Sequence, residues 1–166
     1  MAVRPFVPWP DRRLRTVCTP VDGVDDVARA TWDDMLDTMY AMPGLGLAAP
    51  QIGVMLRLAV VDGAGDGKAP IRMANPEVID ASAILREHDE ASPNLPGVHA
   101  RISRPRGVSV RYLDESGIVA RKDLVGVWAT SVQHQIDHLN GRMYFDHLST
   151  VKRRMLIARA QKKARR

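Results

Sequence analysis

Two histidines, His134 and His138, stand four residues apart in the run Gln133-His134-Gln135-Ile136-Asp137-His138. On a helix that spacing puts both imidazoles on one face, close enough to share one metal ion. In the metallohydrolase pattern the residue after the first histidine is a glutamate, which takes a proton from metal-bound water. Here it is Gln135, and an uncharged amide cannot act as that base. Taken alone, the pair reads either as a metal site or as two ordinary helix residues.

Two further stretches have the residue types for a site. Gly44-Leu45-Gly46-Leu47-Ala48-Ala49-Pro50-Gln51-Ile52-Gly53 combines glycines with small residues, which lets backbone approach a ligand closely. It is not a dinucleotide fingerprint, because it follows a helix pattern and lacks the third glycine. Without a ligand it would be a tight turn leading into a strand. Glu90-Ala91-Ser92-Pro93-Asn94-Leu95-Pro96-Gly97, with Arg104-Pro105 beyond it, reads by itself as a polar loop.

The elements that must position these stretches follow from periodicity. Residues 24–42 place Val27, Thr31, Met35 and Met39 four apart beside Trp32 and Leu36, an amphipathic helix ended by Pro43-Gly44. Residues 55–62 are short and rich in branched apolar side chains, hence a buried strand. Residues 71–83 are extended and interrupted at Asn75-Pro76. Val108, Val110 and Tyr112 alternate with polar neighbours, and residues 114–117 turn the chain into a partner strand over 118–122. Asp123 would cap a helix running to Leu139, with Asn140-Gly141 as its stop. Ser149 would cap a last helix with Val151, Met155 and Ala158 inward. Strands with a central and a terminal helix make the class α+β.

The chain of 166 residues has the length of one domain. Its single cysteine, Cys18, excludes an intrachain disulfide and fits a reducing compartment. No apolar run reaches the roughly 20 residues that span a bilayer, and no secretory signal pattern precedes the fold, so the cytoplasm is expected. Residues 151–166 hold eight of the 24 basic residues and none of the 19 acidic ones, leaving a mildly acidic body over 1–150. That tail is either a solvated helix docked by its apolar stripe or a contact for an anionic partner. The lack of aromatic anchors argues against a membrane surface, and DNA is not expected.

Taken together and in order, the three stretches resemble the peptide deformylases, whose blocks are G-x-G-x-A-A-x-Q, E-G-C-x-S and Q-H-E-x-D-H-L-x-G. The first matches at Gly44, Gly46, Ala48, Ala49 and Gln51. The third matches at Gln133, His134, Asp137, His138, Leu139 and Gly141. The second keeps Glu90 and, further on, Pro96. The resemblance spans roughly residues 5–160. It implies a peptide-deformylase-like α+β fold, with antiparallel or mixed strands around the histidine-bearing helix. The domain proper covers 1–150, and 151–166 form its basic C-terminal helix.

The resemblance also implies a divalent ion, Fe2+ or Zn2+, held by His134, His138 and the residue at position 92. Gln51 would steady the oxyanion as ion-bound water attacks the formyl group on an N-terminal methionine. Gly44, Gly46, Leu47, Glu90 and His99 would lie along the substrate. Three positions depart from the pattern: Ser92 replaces the cysteine ligand, Pro93 removes the N–H that follows it, and Gln135 replaces the base. The expectation is therefore a deformylase-like protein with weak or no deformylation and a metal weakly bound or absent. Two alternatives stay open: an active but altered metallohydrolase, and a ribosome- or RNA-associated module without catalysis. The partners implied are a formyl-Met or other N-terminal peptide, and the ribosome through the basic helix.

Overall fold

The computed structural model describes residues 2–166. Seven strands and three α-helices follow in the order α1 (Asp26–Ala41), β1 (Gly46–Ala48), β2 (Leu58–Val61), β3 (Ile71–Ala81), β4 (Leu85–Ser92), β5 (Leu95–Pro105), β6 (Gly107–Leu113), β7 (Val119–Val125), α2 (Val127–Leu139) and α3 (Thr150–Ala164). Five strands form one sheet in the order β1-β2-β3-β6-β7, and β4 with β5 forms a separate hairpin. Every pairing of these strands is antiparallel, so the mixed arrangement allowed by the sequence is not found.

Helix α1 is capped by the Asp25 carboxylate, which accepts from the Ala28 N–H. Its Trp32, Met35, Leu36 and Met39 pack on Leu47, Leu58, Val60 and Ala74 of the large sheet. Burying each such side chain is worth about 1.5–3 kcal/mol. The periodicity anticipated this face except at Val27, which is 65% exposed, and at Thr31, which is half-buried outside the core. The interruption at Asn75-Pro76 is a distortion within β3, with Asn75 at φ 50° and a register shift between Ala74 and Glu77 against β6.

Helix α2 is the element between the two sheets. Its Ala129 and Val132 join Val61, Met73, Val108 and Val110 in a second core. It begins after Gly126, not at Asp123. Strand β7 continues to Val125, with Asp123 opposite Ser109 and its carboxylate accepting from Ser109 Oγ at 2.5 Å. The stop at Asn140-Gly141 is as expected. Gly141 has φ 73°, and a Cβ there would meet the Arg15 backbone at 2.7 Å, so glycine is required twice over.

Helix α3 is capped by Ser149 Oγ, which accepts from the Lys152 N–H. Its inward face is Leu156 and Ala160, packed with Leu95, Val98 and Ile102 of β5. Val151 and Met155 are exposed at 66% and 58%, and Ala158 also faces outward, correcting the expected stripe. α3 thus backs the hairpin that walls the site. Among the described residues no helix is long and apolar enough to cross a membrane.

Candidate functional site

A cavity of about 400 Å³ opens between the turn after α1, the β4–β5 hairpin and helix α2. Its lining includes Gly44, Gly46, Gln51, Glu90, Ser92, His134 and Gln135, so residues from all three singled-out stretches meet there. His138 lies directly behind His134. Leu47 instead belongs to the core under α1 and is fully buried. His99 sits exposed on β5, outside the cavity lining.

The floor comes from α2. His134 Nε2 and His138 Nε2 are 3.1 Å apart, and His134 Nδ1 is 2.8 Å from Glu90 Oε1. Glu90 is gripped in turn by Arg104, whose Nε and Nη2 donate to its two oxygens at 2.7 and 2.9 Å. Arg104 Nη1 donates to Asp137 Oδ2 at 2.9 Å, and His147 Nε2 lies 2.7 Å from the same oxygen. Burial opposes charge on Glu90, but the hydrogen bonds from His134 and Arg104 outweigh it and hold the carboxyl down at about 2. Full burial drives His138 the other way, well below the ordinary histidine range and toward the neutral imidazole, with the charges of His134 and Arg104 adding to the effect.

The wall comes from the hairpin turn. Ser92 Oγ donates to Asn94 Oδ1 at 3.0 Å, and Gln51 Nε2 donates to the same oxygen at 2.8 Å. Gln51 Oε1 accepts from the Ala48 N–H, so both ends of this amide are engaged. Asn94 Nδ2 donates to Val7 O and Gln51 O, tying the N-terminal arm to the hairpin. The roof is β1, where a Cβ on Gly46 would lie 2.3 Å from Ser131 Oγ and 2.5 Å from Gln135 Nε2. Glycine at position 46 therefore keeps the cavity open.

Sequence reasoning noted Arg104 only as part of an Arg-Pro flank and passed over Asn94. Nothing in the local pattern marks either.

The model of the polypeptide deformylase family matches residues 3–154. The chain belongs to that family. It is 42% identical over 170 aligned residues to a peptide deformylase of Rhodopseudomonas palustris, covering 100% of this chain and 97% of the relative. A second peptide deformylase, from Methylocella silvestris, is 44% identical, with 99% of this chain and 87% of the relative covered. A crystal structure of a peptide deformylase from Legionella pneumophila superposes with a TM-score of 0.93 at 40% identity, covering 99% of this chain and 96% of that one. The peptide deformylase of Ehrlichia chaffeensis in complex with actinonin gives a TM-score of 0.92 at 37% identity over the full length of both chains.

Peptide deformylases are metalloenzymes, so the donor set can be weighed directly. Two imidazole nitrogens 3.1 Å apart have the spacing of neighbouring ligands on one ion. The third nearby group, Ser92, is a neutral hydroxyl spent on Asn94, and Glu90 is committed to Arg104 and His134. Among the described residues no cluster of three His, Cys, Asp or Glu side chains could hold an ion. The residues present therefore do not make up a three-ligand site.

Proposed function

We propose that this deformylase-family protein holds peptide N-termini with weak or no removal of the formyl group from N-terminal methionine. The reading rests on one conjunction. The cavity and its Gly44–Gly53 rim are open, while Ser92, Pro93 and Gln135 stand where the family pattern has a thiolate ligand, an oxyanion N–H and a base. Each affects a different step. A neutral hydroxyl is a poor ligand beside a thiolate. A missing base is worth about 10²–10⁴ in rate, and a missing oxyanion donor about 2.7–4 kcal/mol. These losses need not add, because groups acting as a unit are non-additive. Any divalent ion, Fe2+ or Zn2+, would be held weakly by His134 and His138.

The test is metal content. Protein purified anaerobically should carry well under one equivalent of Fe2+ or Zn2+, and Ser92→Cys with Gln135→Glu should raise it toward one. A full equivalent in the unaltered chain would favour an active, altered metallohydrolase instead.

The basic helix favours an anionic surface as partner, the ribosome being the natural one for a cytoplasmic protein that meets nascent N-termini. Arg153 pairs with Asp146 and Lys163 Nζ donates to Gly97 O, while Lys152, Arg154, Arg159, Lys162, Arg165 and Arg166 are exposed. Replacing those six with Gln leaves the Leu156 and Ala160 anchor in place and should abolish salt-sensitive cosedimentation with ribosomes. Unchanged sedimentation would remove the ribosome from the account.

A further inference from the structure

The cavity has a polar side, and it lies between β4 and α2. Of the five α2 residues that line the cavity only Val127 is apolar; the others are Thr130, Ser131, His134 and Gln135. Strand alternation puts Arg86, His88 and Glu90 of β4 on the face toward this helix. Arg86 Nη1 donates to Thr130 Oγ1 at 3.0 Å, and Glu90 meets His134. His88, between them, lines the cavity.

Donors prevail there. Thr130 Oγ1 accepts from Arg86 and keeps its own proton to give. Gln135 is only 4% exposed; its Oε1 is occluded, and it presents Nε2 beside Gly46. Among the described residues neither that Nε2 nor the half-buried His88 ring has a hydrogen-bond partner. An imidazole carries at least one N–H in either tautomer. Ser131 Oγ spends its proton on Leu45 O and is left as an acceptor. A purely apolar ligand end would cover these groups without answering them, which is costly. The ionic groups at hand, the Arg86 guanidinium and the Asp89 carboxylate, are of opposite sign, so they select no net charge in the ligand.

We propose that this polar side selects peptides whose first side chain ends in a neutral amide, glutamine before methionine. The inference rests on the reading of the chain as a holder of peptide N-termini. The side-chain carbonyl of such a residue accepts from the donors of Thr130, His88 and Gln135, and its NH2 group donates to Ser131 Oγ. Glutamine is about as long as methionine and so reaches the same depth. The methionine sulfur is only a weak acceptor and donates nothing.

Calorimetric titration with formyl-Gln-Ala-Ser, formyl-Met-Ala-Ser and formyl-Glu-Ala-Ser tests the proposal, with formate release followed in the same samples. The end group is constant, so only the first side chain differs. The Gln peptide should bind about tenfold or more tightly than the Met peptide, and the Glu peptide no better than the Gln peptide. Thr130→Val, similar in shape but without the hydroxyl, should shrink the Gln-to-Met ratio, and so should His88→Leu on the facing strand. Equal or tighter binding of the Met peptide without formate release overturns this inference and leaves the parent reading standing. Tightest binding of the Glu peptide overturns the neutral amide, and a ratio unchanged in both variants overturns the assignment to this side of the cavity. Rapid formate release overturns the parent reading, and binding of no peptide overturns both. Should either variant fail to fold, the other and the ratio in the unaltered protein decide the matter.

Discussion

Arg104 and Glu90 form a two-point ion pair, 2.7 and 2.9 Å, with side-chain exposures of 4% and 3%. The pair fixes Glu90 against His134 and so sets the ring on the cavity floor. Removing one member of a buried pair leaves an uncompensated charge, which costs about 3–5 kcal/mol. Arg104→Met strips both Glu90 and Asp137 of their cation, so its unfolding free energy in urea should fall by that amount. Arg104→Lys keeps the charge but loses the fork, and its loss should be smaller. A Met variant as stable as the parent would show that the pair is not what holds the floor.

Tyr40 and Asp62 tie the loop after β2 to helix α1. The Tyr40 hydroxyl donates to Asp62 Oδ2 at 2.7 Å, and the Gly65 and Gly67 N–H groups donate to the same carboxylate. Burial, then the hydrogen bond to Asp62, pushes the phenol up from 10.0 to about 12. Asp62 is lowered despite burial, because Tyr40 and the backbone N–H groups favour its charge. A raised phenol contributes stability below pH 10 that is lost as pH climbs toward 12. A lowered carboxyl contributes stability above its ordinary 3.8 that is lost on acidification. Tyr40→Phe should flatten the alkaline limb of the stability–pH curve measured by thermal melting. An alkaline limb unchanged in that variant would assign it to other groups.

Cys18 is 2% exposed beneath Ala48, Ala59 and Leu139, outside the cavity lining. Burial pushes its thiol from 9.0 to about 11, against a lesser pull from Arg57. The native protein at pH 8 should therefore resist iodoacetamide, with one equivalent labelled promptly in denaturant. Prompt labelling of the folded protein would mean that this core opens readily.

The site was legible in the sequence wherever one short segment carries the geometry. Two histidines four apart needed only a helix, and Gly46 needed only the close approach that small residues permit. Residues whose partners are distant in sequence were not legible. Arg104 meets Glu90 across the hairpin and Asp137 from α2, and Asn94 reaches Val7. Local capping chemistry misled at Asp123, because pairing with β6 carried β7 to Val125 before a glycine at φ 61° released the helix. In α3 cations are interspersed among the apolar residues, so the 156/160 face was set by the Leu95–Ile102 wall and not by any clear stripe.

The central claim is that an open deformylase-family cavity here holds peptides with little chemistry. Formate release from formyl-Met-Ala-Ser, with protein supplied with excess Fe2+ or Zn2+, tests it most directly. The account predicts a rate about 10²-fold or more below that of the Ser92→Cys, Gln135→Glu variant measured alongside. A parent rate equal to the variant's, or near the 10⁴ M⁻¹s⁻¹ or above typical of kcat/KM for enzymes, would contradict it.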